Sequence, residues 1–214
     1  MNQKDALCAA AFLLLISASA HAESNVSVSP AQLKAKAEYC RTCHGVDAEG
    51  FRGAIPIPRL AGQPSEYVKG QLQAFITNTR VNPVMQNVAR ALSPAMVDGL
   101  ASYFEKLDPK PLGGPPEDDK LAAIGKKIYK DGVSDDIPTC SNCHGDDAKG
   151  DGPLPRLAGQ LSDYMYAAMT NWKKERGQGK ITDDDTSSAM LPTVEGLNSE
   201  QKRAVAVYLS NLNK

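Results

Sequence analysis

The pattern Cys-x-x-Cys-His occurs twice in this chain, 100 residues apart, as Cys40-Arg41-Thr42-Cys43-His44 and as Cys140-Ser141-Asn142-Cys143-His144. Apart from Cys8 and His21, the two copies hold every cysteine and histidine of the 214 residues. C-x-x-C-H reads as the attachment site of a c-type haem. Two thiols add to the two vinyl groups of one haem, and the adjacent histidine is held beneath the iron as its proximal ligand. The rival readings account for less. A zinc site needs four ligands, whereas each motif offers three. A redox C-x-x-C belongs in a βαβ setting, and no strand pattern is present. Structural disulfides suit an exported chain but leave the repeated histidines without a role. The motifs predict two covalently bound haem c groups on Cys40, Cys43, Cys140 and Cys143, with His44 and His144 on the irons.

Residues 1–22 read as an export signal. Lys4 precedes an apolar run from Ala6 to Ala20, and Ala20-His21-Ala22 closes it with small residues. That order describes a secretory signal peptide, and the run is shorter than the roughly 20 residues of a spanning helix. Cleavage is expected after Ala22. Cys8 lies ahead of the apolar run, so it is no lipobox cysteine. Charge is balanced, with 24 basic and 25 acidic residues, which lacks the clustered positive charge of a nucleic-acid binder. Aromatic residues are only 6%. That is thin for two small cores, and a haem in each would fill the deficit.

The motif spacing belongs to a longer repeat. Arg59-Leu60-Ala61-Gly62-Gln63 returns as Arg156-Leu157-Ala158-Gly159-Gln160, an offset of 97. Tyr67 matches Tyr164 and Phe75 matches Trp172 at the same offset, while Leu92–Leu197 and Tyr103–Tyr208 match at 105. The second copy has lost three residues after its motif and gained eight around 173–188, among them Asp183-Asp184-Asp185. Between the copies, residues 108–117 contain four prolines and two glycines, a semi-rigid linker. The expected domains are 23–112 and 113–214.

Each half reads as helices joined by loops, an all-α fold with no period-2 strand. Ser29-Pro30-Ala31-Gln32 opens a helix that runs into Cys40, with a capping-box spacing. Ser65 is expected to cap a helix to about Thr77, and Ser93-Pro94 to start one ending near Leu107. In the second half, helices are expected from Asp118 or Asp119 to Gly132, from Ser162 to about Lys174, and from Asn198 onward.

The irons need a sixth ligand, and the mature chain holds no further histidine or free cysteine. Methionine remains, and His/Met is an established haem pairing. Met85 falls on Met190 at the offset of 105, each seven residues before the matched leucine and eighteen before the matched tyrosine. Met96 falls on Gln201, Met165 on Val68 and Met169 on Leu72, where methionine serves as a packing residue. The repeat therefore favours Met85 and Met190 as ligands. Pro58 and Pro155 precede the repeated pentapeptide, and their carbonyls are candidates to fix the histidine rings. The alternative is that they only shape a loop.

The doubled Cys-x-x-Cys-His-Gly, the doubled Pro-Arg-Leu-Ala-Gly-Gln and the late Met–Leu–Tyr pattern resemble dihaem cytochromes c of the cytochrome c4 type. The resemblance covers nearly the whole mature chain. It implies two tandem cytochrome c-like helical domains, each built around one covalently bound haem, with the haem propionates facing the domain interface. It implies a periplasmic electron carrier, often membrane-associated, between a quinol-oxidising complex and a terminal oxidase. It assigns axial ligation to His44 with Met85 and to His144 with Met190. An electron-accepting subunit of a dehydrogenase, such as a flavocytochrome, would use the same ligands. A dihaem peroxidase needs an iron open to substrate, against which the matched methionines argue. Residues 23–112 carry ten basic and eight acidic residues, and 113–214 thirteen and sixteen. Such a dipole can orient an encounter, and the Asp183–Asp185 loop would favour a basic partner patch.

Overall fold

The computed structural model describes residues 27–113, 119–134, 137–176 and 186–212. The signal segment, the centre of the linker and the Asp183–Asp185 loop lie outside the described residues. Within them the chain is helical, with three isolated bridges and no sheet. No described helix is long and apolar enough to cross a membrane.

In the first half, α1 (Pro30–His44), α2 (Ser65–Thr77), α3 (Pro83–Arg90) and α4 (Pro94–Glu105) pack with α4 against both α1 and α2, and α3 against α2. Ser29 closes the expected capping box with Gln32, and Ser93 caps α4 through the Met96 N–H. Both ends use Pro at the first turn, where its missing N–H costs nothing. Ser65 lies one residue inside α2, whose N-cap is Pro64; its N–H is taken by the Glu105 carboxylate at 2.8 Å. Leu100, Ala101 and Phe104 of α4 and Ala37 of α1 are buried, and the core they build also takes in Leu33, Met96 and Tyr103.

The second half holds α5 (Asp119–Asp131), α6 (Ser141–His144), α7 (Ser162–Thr170), α8 (Trp172–Arg176), α9 (Thr186–Gly196) and α10 (Ser199–Ser210). Here α10 packs on α5 and α7, and α8 on α9. The expected helix from Ser162 breaks at Asn171, giving α7 and α8. Asn198 and Gln201 form the expected capping box of α10. The halves differ at their first motif element. α1 carries its motif on one continuous helix, whereas α5 stops before Gly132 and the second motif begins its own short helix. Tyr129 restores the tie: fully buried on α5, it donates its hydroxyl to the Gly145 carbonyl at 2.6 Å.

Helices α3 and α9 were not expected from the sequence, and they carry Met85 and Met190. α3 had a legible start, Asn82 before Pro83; the Asn82 side chain accepts from the Met85 N–H at 3.0 Å. α9 contains Pro192, which lacks the N–H for one rung of the helix.

Candidate haem sites

Helical geometry brings each motif together. Residues three and four apart share a helix face, so Cys40, Cys43 and His44 project from one side of the end of α1, and Cys140, Cys143 and His144 lie on the corresponding turn. All four cysteines among the described residues are free thiols. Cys43 and Cys143 are exposed, and Cys40 and Cys140 are half-buried. Burial pushes the Cys40 thiol up to about 11, and Cys140 shifts the same way for the same reason.

Both imidazoles are buried, with 7% and 5% of their surfaces exposed. His44 Nδ1 lies 2.8 Å from the Pro58 carbonyl, and His144 Nδ1 lies 3.1 Å from that of Pro155. A carbonyl accepts only, so each ring carries its proton on Nδ1 and keeps the Nε2 lone pair for a metal. Burial, the larger influence, holds both rings below the ordinary histidine range, opposed by those carbonyl bonds. The neutral, ligating form is the one the fold prefers.

The prolines reach the rings because the loop after each motif is locked to the repeated hexapeptide. Gly50 donates to the His44 carbonyl at 2.8 Å, and Gly150 to that of His144 at 3.0 Å. Leu60 and Ala61 both donate to the Ala48 carbonyl, and Leu157 and Ala158 to that of Ala148. Gly50 and Gly150 have φ of +96° and +68°, and a Cβ on Gly150 would come within 2.2 Å of the Leu154 carbonyl oxygen. Only glycine fits that turn.

The methionines separate by environment. Met96 packs into the first core, and Met165 and Met169 into the second. Met85 and Met190 are half-buried and belong to neither core. Among the described residues no group of three or more His, Cys, Asp or Glu lies together. Paired thiols, a buried imidazole with its outer nitrogen fixed and a half-buried thioether are a donor set that fits haem c.

The repeated Arg and Gln have a role that sequence reasoning missed, although their repetition was the signal. They join the halves. Gln160 accepts from the Arg59 N–H at 2.8 Å and donates to the Arg59 carbonyl at 3.0 Å. Gln63 does the same with Arg156, at 3.1 Å and 2.8 Å. Both guanidinium groups then converge on one linker carboxylate, Asp108, at 3.4 Å and 3.0 Å. Burial and the nearby Arg156 lower Arg59 to about 10, against the pull of Asp108.

A small helical unit grown around Cys-x-x-Cys-His, with its histidine pinned by a proline carbonyl, defines a c-type cytochrome domain, and this chain holds two in tandem. Comparison with known proteins agrees. The family described as "Cytochrome c" matches residues 122–213, and "Cytochrome C oxidase, cbb3-type, subunit III" matches residues 30–104. Cytochrome c4 of Thiocapsa roseopersicina is 33% identical over 82% of this chain and 88% of its own length. A thiosulfate dehydrogenase electron acceptor of Thiomonas intermedia (strain K12) is 35% identical over 82% of this chain and 79% of its own. The crystal structure of reduced recombinant cytochrome c4 from Pseudomonas stutzeri superposes with a TM-score of 0.73 at 26% identity, covering 87% of this chain and all of that one. The chain belongs to the dihaem cytochrome c4 family, with two covalent haem c groups and the work of an electron carrier.

Proposed function

We propose that this protein carries single electrons in the periplasm, from a quinol-oxidising complex to a terminal oxidase. The halves 23–112 and 113–214 each hold one haem, attached through Cys40 and Cys43 and through Cys140 and Cys143. His44 with Met85, and His144 with Met190, would hold the two irons. The observation that carries this reading is the matched pair of buried imidazoles, each fixed through Nδ1 beside two free thiols. The group supplies a one-electron iron couple. The chain's residues would do the rest: the prolines fix ring orientation, burial excludes water, and a thioether from Met85 or Met190 would favour ferrous iron and leave no position open to substrate.

A second reading places the same carrier at a dehydrogenase, as its electron acceptor; the similarity to the Thiomonas protein supports it. Electron exchange measured separately with a thiosulfate dehydrogenase and with a cbb3-type oxidase distinguishes the two, since the physiological partner exchanges faster.

The ligand assignment is tested optically. Ferric His/Met haem shows a weak charge-transfer band near the red end of the visible range. Met85→Ala and Met190→Ala should each halve it and lower one of the two midpoint potentials. Met96→Leu should leave band and potentials unchanged. Loss of the band in Met96→Leu would refute the assignment.

A further inference from the structure

The loops that follow the two motifs differ at their tips. In each, an isolated antiparallel bridge closes the loop just before the proline that holds the histidine: Phe51 with Ile57, and Asp151 with Leu154. Residues 52–56 lie inside the first bridge, and only 152–153 inside the second. The three residues missing from the second copy are therefore tip residues. The short tip is tucked against the other half, where the Gly152 carbonyl accepts from the Tyr67 N–H at 3.1 Å. The long tip stands in solvent, with every residue from Phe51 to Ile55 exposed.

Its side chains are the wrong kind for solvent. Phe51 is 54% exposed and Ile55 80%. The Phe51 ring lies over Gly53, where a Cβ would stand 2.9 Å from the ring edge. The Arg52 guanidinium donates to the Leu112 carbonyl of the linker at 3.0 Å, which brings a third exposed apolar residue beside the tip. Exposed apolar side chains scattered singly are ordinary, but three gathered on one protrusion mark a contact surface. The second half has carboxylates in the matching places. At the motif offset of 100, Val46 falls on Asp146 and Phe51 on Asp151, and all four are exposed. Charge gives the partner's chemistry. The first loop satisfies its own carboxylates: Asp47 pairs with Arg41, and Glu49 accepts from the Asp47 N–H. Arg52 forms no ion pair among the described residues and meets a carbonyl instead. We propose that this tip is the docking site of a redox protein whose contact face is apolar and rimmed by carboxylates. Phe51, Ile55 and Leu112 meet the apolar face, and Arg52 meets the rim. The acidic loop of the second half repels the same face, so that partner exchanges electrons through the first half. The tip runs on through Ile57 to Pro58, so docking falls on the loop whose carbonyl fixes His44.

The inference rests on the electron-carrier reading, and the test keeps the two apart. The probe is a blue-copper protein whose copper lies beneath an apolar face bordered by carboxylates, and hexacyanoferrate serves as a small oxidant. Reduced holoprotein that hexacyanoferrate fails to reoxidise defeats the carrier reading. Holoprotein that hexacyanoferrate reoxidises and the copper protein does not overturns the docking site alone. Phe51→Ser combined with Ile55→Ser should slow exchange with the copper protein roughly tenfold, the loss expected of an apolar anchor. It should leave the hexacyanoferrate rate and both midpoint potentials unchanged. Arg52→Gln should slow the protein exchange several-fold at low salt, with the gap closing as salt rises. Ile124→Ser removes an exposed apolar side chain of the second half and should change nothing. A double variant as fast as the parent, or an equal loss in Ile124→Ser, overturns the proposal. So does a tip that serves a lipid surface: the parent would then sediment with phosphatidylglycerol vesicles, the double variant would not, and their exchange rates with the copper protein would agree.

Discussion

Asn82 does two things with one side chain. It caps α3, and the N–H it receives belongs to Met85. The cap is therefore also a brace on the residue proposed to complete the first iron's coordination. Replacing Asn82 with Ala should cost about 0.5–2 kcal/mol of local helix stability. The loss should appear as easier displacement of the thioether: the first-domain share of the ferric methionine band should yield at a lower imidazole concentration than in the parent. An unchanged imidazole titration would show that α3 holds Met85 without its cap. At this scale the sequence was informative where covalent chemistry dictates spacing. Cys40, Cys43, His44 and their counterparts are constrained by one porphyrin edge, and the Pro58 and Pro155 carbonyls stand at the outer nitrogens of the two imidazoles, where a ring that must be held in one orientation needs an acceptor. Arg59, Gln63, Arg156 and Gln160 were visible as a repeat but silent about purpose. Their partners lie more than 90 positions away, and no local pattern encodes such a contact.

Between elements, α5 lies close against α10. A Cβ on Gly125 would stand 2.0 Å from the Ala204 carbonyl oxygen, a backbone atom that cannot swing aside. Gly125→Ala gains about 1 kcal/mol in helix propensity. It should nonetheless destabilise the second domain by about 1–3 kcal/mol through forced separation of the helices. Thermal melting of the holoprotein checks this; a melting temperature at or above the parent's would contradict the close crossing. Long capped helices such as α1, α4 and α10 were readable because their start signals and apolar faces coincide. α3 and α9 were not. One is short, and the other contains a proline. Such helices draw their stability from what they pack against, so their own residues announce them poorly.

At the scale of the whole molecule, one carboxylate serves two buried arginines. Asp108 is itself 69% exposed, so its removal costs less than the roughly 3–5 kcal/mol of a broken fully buried pair; about 1–2 kcal/mol is expected. Asp108→Asn should lower the melting temperature at low salt, and the gap to the parent should narrow as ionic strength rises. A gap independent of salt would assign the loss to hydrogen bonding instead. The reciprocal glutamine–arginine pairing has a wider consequence. Both sides of this joint are made of the same residues doing the same thing, the self-matching symmetry that ordinarily builds a homodimer. The first half, which carries Asp108, could therefore satisfy a second copy of itself about as well as it satisfies its neighbour, whereas two second halves would keep the glutamine–arginine bonds and lack that carboxylate. Covalent continuity decides the matter, because a short tether gives the attached half a high effective concentration. Cut between its halves, this carrier would lose no recognition chemistry, yet it would lose the reason for pairing unlike with unlike.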